Sequence, residues 1–277
     1  MGDGPAWAVD QGTVRGGDIA TDAAMAADAG FSALGCNLDQ LLQFGVEHAH
    51  ATLTDAGLAA SGIQGLPDLF VDPDETRDRY VAALDAAAAL DASGCLVGTG
   101  PIRDRSHQDA DAIVRDRLAR LGELAAARGT RILLEPMHPM LRAWNYVHTL
   151  VHAARITNGL DGVGIAVDVG HLWWDPSLVD DFARLVDRIG IVQLTDVPWS
   201  ALDGLRYERD RFDTGDVPVA RLLRAFNVAG YRGSYECEIL VRMPRDERPQ
   251  FLRDTHAWLV NTWGTLRARA SGSIGGP

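Results

Sequence analysis

Cysteine is scarce in this sequence, and the pattern excludes a disulfide framework. Cys36, Cys95 and Cys237 are odd in number and widely separated along 277 residues. Disulfide-stabilised domains are short secreted chains with many cysteines. We therefore expect three buried free thiols in a protein of a reducing compartment.

Long hydrophobic runs and excess positive charge are also missing. No stretch approaches the ~18 apolar residues of a membrane helix, and residues 1–9 lack the basic start and apolar run of a signal peptide. With 26 basic and 38 acidic side chains the net charge is −12, which disfavours contact with polyanions. These features predict a cytoplasmic protein that binds neither membrane nor nucleic acid.

Short apolar segments alternate with alanine- and leucine-rich helical segments along most of the chain. Eight such strand–helix units can be counted, and many of the helical segments end at a glycine. Strand–helix alternation implies a parallel sheet, and about 250 residues suit a (β/α)8 TIM barrel. We predict one α/β barrel domain over residues 1–269 and a disordered tail over 270–277. An open doubly wound sheet is the alternative, weakened because no glycine-rich phosphate loop follows the first strand.

Polar side chains follow or interrupt the apolar runs of strands five to eight. Glu135 follows Leu134, Asp168 follows Val167, Gln193 lies within the seventh strand, and Glu238 within the eighth. In a closed barrel these strands are neighbours, and their carboxyl ends form the usual active-site face. Three carboxylates at one place repel one another unless a cation lies between them. The four residues therefore predict a hard divalent ion, Mn²⁺ or Mg²⁺ first, with Co²⁺ or Zn²⁺ also compatible.

At these positions the sequence resembles the xylose isomerase-like TIM barrel superfamily of sugar isomerases and epimerases. The resemblance covers most of the chain and is densest from Arg131 to Glu238. It rests on Glu135 at the end of strand five, on Asp168 and His171 as an Asp-x-x-His motif, and on Glu238 after the Gly-Tyr-x-Gly turn at 230–233. Glu236 is the second choice for the ligand on strand eight, and otherwise an acceptor that supports the ligands.

Two departures from the family pattern narrow the function. Gln193 stands where many relatives have histidine. A glutamine ligand at this position is similar to that of the 3-dehydroshikimate dehydratase branch. Residues 139–142 lack the further glutamate of ketose 3-epimerases, which disfavours a simple free-ketose epimerase. The superfamily also contains endonuclease IV, but most of its zinc-binding histidines are missing here.

The resemblance implies that Glu135 and Glu238 form the acid/base pair, which removes a proton next to a carbonyl while the metal stabilises the enediolate. His171 is expected to contact substrate or metal. His138 either binds substrate or begins a helix, and Trp173 either lines the pocket or packs in the core. Arg211, before the Gly215–Asp216 turn, either binds substrate or forms a salt bridge.

Isomerisation, epimerisation and elimination all begin with the same proton abstraction. The leading hypothesis is a metal-dependent isomerase or epimerase of a sugar, keto-sugar or inositol derivative, a small polyhydroxylated carbonyl compound. The alternative is a lyase that removes water from a compound such as 3-dehydroshikimate. A third hypothesis is a non-catalytic barrel subunit. Relatives often form dimers or tetramers, and the sequence leaves the oligomeric state of this protein open.

Overall fold

The computed structural model describes residues 4–198 and 209–272, with side chains to residue 268. Eight parallel strands pair in chain order, and β8 pairs with β1 to close the barrel. The strands are β1 (Trp7–Asp10), β2 (Ala33–Asn37), β3 (Ala59–Gln64), β4 (Cys95–Val97), β5 (Ile132–Leu134), β6 (Val163–Asp168), β7 (Ile189–Leu194) and β8 (Tyr235–Cys237).

Helices surround the barrel and also cover parts of its carboxyl-end face. Within the described residues they are α1 (Gln11–Val14), α2 (Ile19–Ala29), α3 (Leu38–Phe44), α4 (Val46–Asp55), α5 (Pro73–Ala89), α6 (His107–Ala126), α7 (Leu150–Ile156), α8 (Val169–Leu172), α9 (Leu178–Leu185), α10 (Val219–Val228) and α11 (Arg248–Gly272). Short 3-10 helices lie at Pro139–Leu141, Val186–Arg188 and Arg245–Glu247.

Local sequence fixes where these helices begin and end. The Asp18 side chain accepts the Thr21 N–H at the start of α2, and Ser106 does the same for Asp109 in α6. Such caps satisfy N–H groups that have no partner inside the helix. Gly30 ends α2 with φ of 97°, a conformation that glycine adopts without the steric cost of a side chain.

Two apolar clusters stabilise the fold. The larger lies between the sheet and the helices, and includes the stacked rings of Phe182 and Phe226, with centroids 3.8 Å apart. The smaller lies inside the barrel and consists of Leu96, Leu133, Ala166 and Ile191, from β4 to β7. Residues two positions further along a strand face the same side, so the inner cluster determines which side chains enter the mouth of the barrel.

The closed eight-stranded barrel confirms the predicted fold class and excludes the open sheet. All three cysteines are buried free thiols, as expected, and burial raises the pKa of Cys36 and of Cys95 to about 12. Helix α11 continues to Gly272, which is three residues into the expected tail, and residues 273–277 lie outside the described part. Among the described helices, none has the length and apolarity needed to cross a membrane.

Candidate active site

The polar residues at the barrel mouth follow directly from the strand alternation. Leu133, Ala166 and Ile191 point inward, so Glu135, Asp168 and Gln193 do so two residues later. All three are buried, with exposures of 9%, 0% and 1%. Burial of uncompensated charge costs several kcal/mol. The two buried carboxylates in this layer therefore need a cation beside them.

Glu135, Asp168 and His171 converge at the ends of β5 and β6. His171 Nε2 lies 3.6 Å from Glu135 Oε1 and 3.5 Å from Asp168 Oδ2. Each of the three offers a ligand atom, and these atoms lie within 4.8 Å of one another. The cluster has the dimensions of a metal site built from two carboxylates and an imidazole.

Backbone hydrogen bonds hold these groups in place. The Asp168 Oδ1 atom caps α8 by accepting the Gly170 N–H at 2.8 Å. Because α8 forms a single turn, His171, three residues after Asp168, lies beside the Asp168 carboxylate. The Glu135 carbonyl oxygen accepts a 2.6 Å hydrogen bond from the buried Asn145 amide. The cluster is therefore attached to rigid elements, as metal sites require.

Arg209 enters the cluster from the segment that follows β7. Its Nη2 atom lies 2.5 Å from Asp168 Oδ2 and 3.1 Å from His171 Nε2. Its Nη1 atom lies 2.6 Å from Glu238 Oε2. The guanidinium, whose side chain is 6% exposed, links the Asp168 and Glu238 carboxylates.

Glu236 lies on β8, two residues before Glu238, which directly follows the strand. Its Oε1 atom accepts hydrogen bonds from Gln193 Nε2 at 2.9 Å and Gln64 Nε2 at 3.0 Å, and its Oε2 atom accepts one from Ser61. Burial raises the pKa of Glu236 to about 7, against the effect of these hydrogen bonds. Glu236 therefore faces Ser61, Gln64 and Gln193 inside the barrel, while Glu238 faces Arg209.

The remaining carboxyl groups share a strongly desolvated, negatively charged environment. Burial raises the pKa of Glu135 well above its usual range, and the charges of Glu238 and Asp168 raise it further. Burial also raises the pKa of Glu238, although Arg209 opposes the shift. The His171 pKa is lowered well below its usual value, mainly by burial and then by Arg209. The lowered pKa favours the neutral imidazole of His171, the form that binds a metal, and the raised pKa of the carboxyl groups makes each a better proton acceptor.

The donor set fits a divalent ion. Carboxylate oxygens and a neutral imidazole suit several divalent metals. Gln193 offers a further oxygen, since its Oε1 atom is buried and makes no hydrogen bond to any described residue. Glu135, Asp168, His171 and Gln193 would thus hold the ion, with Glu238 close by through Arg209.

Three other predicted site residues, His138, Trp173 and Arg211, make their main contacts outside this cluster. His138 is buried, and its Nδ1 atom accepts the Met140 N–H at the start of a 3-10 helix. Trp173 is partly buried and packs against the outer core. Arg211 lies over the Phe251 ring, 5.3 Å from its centroid. The structure therefore brings Arg209, rather than Arg211, to the cluster, because an Asp196–Asp210 bridge fixes this segment beside the end of β7.

Sequence reasoning missed Asp10 and the partners of Glu236. Asp10 ends β1, is buried, and has its pKa raised by burial and by the charges of Glu238 and Glu236. It carries the same signal as Asp168, a carboxylate directly after an apolar strand. Ser61 and Gln64 carried no such signal, because their approach to Glu236 depends on the closed barrel.

The chain belongs to the xylose isomerase-like TIM barrel family, whose model matches residues 23–262. A search of curated protein sequences finds no significant match.

Solved structures with the same fold include proteins of different activities. One is the apo form of 3-keto-D-glucoside 4-epimerase YcjR from E. coli, with 22% identity, 88% of this chain and 95% of that chain covered, and a TM-score of 0.73. Another is the IolI protein with a bound zinc atom, at 16% identity, 93% and 97% coverage and a TM-score of 0.78. A third is the probable 3-DHS dehydratase AsbF from Bacillus anthracis, at 16% identity, 89% and 97% coverage and a TM-score of 0.72. At these identities the likeness establishes the fold alone.

Proposed function

We propose that the protein is a divalent-metal-dependent isomerase or epimerase of a small polyhydroxylated carbonyl compound, such as a sugar, keto-sugar or inositol derivative. The observation that carries this proposal is the convergence of Glu135, Asp168 and His171, with the further carboxylate of Glu238 joined to them through Arg209. A site of this kind combines metal ligands with carboxylates able to move a proton.

The roles of the side chains follow from their surroundings. Asp168 and His171, held by α8, act as ligands of the ion. Glu135 and Glu238 are the acid/base pair, because both carboxyl groups lie at the mouth of the barrel and burial raises the pKa of each. A divalent ion bound here would polarise the substrate carbonyl and stabilise the negative charge that develops on its oxygen.

Removal of a proton next to a carbonyl needs an electrophile, and the sequence limits the choice. The chain contains no lysine, so it has no side-chain amine to form a Schiff base with the carbonyl. Arg209 and a divalent ion are the positive groups that fit the acidic cluster. This supports metal-assisted chemistry with Mn²⁺ or Mg²⁺, while the imidazole of His171 also suits Zn²⁺ or Co²⁺.

A metal-dependent lyase is the second candidate. Gln193 places an amide, rather than an imidazole, in the ligand layer, and the fold is shared with the probable dehydratase AsbF. Elimination of water begins with the same proton removal and needs in addition a proton donor for the leaving hydroxyl. Buried Glu135 and Glu238 can supply that proton.

Proton exchange in D₂O tests the proposal and separates its two forms. The purified protein would be given Mn²⁺ and a panel of ketoses, inososes and 3-dehydroshikimate, and followed by proton NMR. We expect deuterium at a carbon next to the carbonyl, with loss of water if the lyase is correct. In Glu135→Gln or Glu238→Gln the rate should fall about 10²–10⁴-fold, whereas exposed Glu247→Gln should match the parent. Unchanged turnover in both site variants would contradict the acid/base assignment.

A further inference from the structure

Glu236 is enclosed far more tightly than an incidental buried acid. Three side chains from two strands donate to it: Ser61 and Gln64 from β3, on opposite oxygens, and Gln193 from β7. On β2, Gly35 lies against the carboxylate so closely that any Cβ at that position would overlap it. These contacts enclose the Glu236 carboxylate inside the barrel.

Only the nitrogen of the Gln193 side-chain amide has a hydrogen-bond partner among the described residues. Its nitrogen donates to Glu236 Oε1 at 2.9 Å, while its oxygen is buried without a hydrogen bond to any described residue. A buried acceptor without a hydrogen bond destabilises the folded state. A buried amide oxygen that has no hydrogen-bond donor beside it is suited to coordinate a cation.

Strand register places Gln193 beside one of the metal ligands. Gln193 is paired with Asp168 of β6 on one side and with Glu236 of β8 on the other. Glu236 Oε1 also accepts the Gln64 amide N–H at 3.0 Å, so this oxygen acts as an acceptor. The Gln193 amide nitrogen, rather than its oxygen, therefore faces Glu236, which turns the carbonyl oxygen away from β8.

We infer that Glu236 is a positioning residue that orients the Gln193 amide, so that its carbonyl oxygen faces the ion held by Glu135, Asp168 and His171. Without the acceptor on β8 the amide can rotate and present its NH₂ group, which repels a cation. The inference rests on the proposed function, because it requires that a divalent ion binds. It also separates Glu236 from Glu238: the first orients a ligand, and the second takes part in proton transfer.

The test is a double-mutant cycle on Mn²⁺ affinity, measured by titration calorimetry of the whole protein. Glu236→Leu removes the acceptor and should weaken Mn²⁺ binding about 10–100-fold, the usual effect of losing the partner of a ligand. Glu236→Gln keeps a carbonyl acceptor for Gln193, with its amide nitrogen facing Ser61, and should bind Mn²⁺ as the parent does. If Glu236 were itself a ligand, Glu236→Gln would also weaken Mn²⁺ binding, because a neutral amide would replace an anionic ligand.

The second arm of the cycle isolates the path through Gln193. In a Gln193→Ala background, Glu236→Leu should change Mn²⁺ affinity no further, because there is no amide left to orient. A full effect of Glu236→Leu in that background would overturn the inference while leaving metal binding intact. Absence of Mn²⁺ binding by the parent protein would instead overturn the proposed function together with it.

Folding of the variants is checked by circular dichroism and thermal melting. If Glu236→Leu fails to fold, Glu236→Gln and Gln193→Leu still decide the question. The inference requires parental Mn²⁺ affinity in the first and weakened affinity in the second. Parental affinity in Gln193→Leu would overturn it.

Discussion

Arg209 is the residue on which the charge balance of the site depends. Asp10, Glu135, Asp168, Glu236 and Glu238 are all within or next to the cluster, and the Arg209 guanidinium contacts Asp168 and Glu238 directly. Removing one partner of a buried ion pair leaves the other charge without compensation, which costs about 3–5 kcal/mol. The same guanidinium also takes up carboxylate oxygens that a divalent ion would use.

Replacing Arg209 should therefore have two opposite effects. Arg209→Gln is expected to lower the unfolding free energy of the metal-free protein by a few kcal/mol, and to tighten Mn²⁺ binding because a competing cation has been removed. Denaturant unfolding and titration calorimetry measure the two effects. Arg211→Gln is the matched control, since Arg211 is exposed and lies over Phe251, and it should stay within about 0.5 kcal/mol of the parent. A larger loss in Arg211→Gln than in Arg209→Gln would contradict the positions described here.

At the scale of elements, Arg209 belongs to the segment between β7 and α10, and Asp196 anchors this segment. The Asp196 Oδ1 atom accepts the N–H groups of Val197 at 2.8 Å and Val217 at 3.0 Å, and Oδ2 accepts that of Gly215 at 2.9 Å. Gly215 approaches this carboxylate too closely for a Cβ. One buried side chain thus ties the end of β7 to the start of the next helix.

Loss of this anchor should loosen the segment without unfolding the barrel. In Asp196→Ala three backbone N–H groups lose their acceptor, at about 1 kcal/mol each, so amide hydrogen exchange at Val217 and Gly215 should accelerate. Amides of β5 and β6 should keep their protection. Asp213→Asn in the same segment is the control, because Asp213 is exposed and its side chain meets Trp258. Equal exchange in both variants would show that Asp196 is not the anchor.

For the whole molecule, the barrel could be predicted from three features of the sequence. These are the alternation of strand and helix segments, the chain length, and the glycines at the ends of helical segments. Glu135 and Asp168 could be located because a carboxylate directly after an apolar strand of a barrel enters the mouth, and Asp10 obeys the same rule. The rest depends on distant contacts. Whether Arg209 or Arg211 enters the site is decided by the Asp196–Asp210 bridge, and Ser61 meets Glu236 across 175 residues of sequence.

We propose that the mouth of this barrel holds one divalent ion between Glu135, Asp168 and His171. Titration of the parent and of Asp168→Asn with Mn²⁺ after exhaustive dialysis tests it most directly, with thermal melting as a second readout, because a ligand that binds only the folded state raises its stability. We expect about one site per chain in the parent, a higher melting temperature with Mn²⁺, and the loss of both in a folded Asp168→Asn. Equal Mn²⁺ binding by parent and variant, or none by the parent, would contradict the claim.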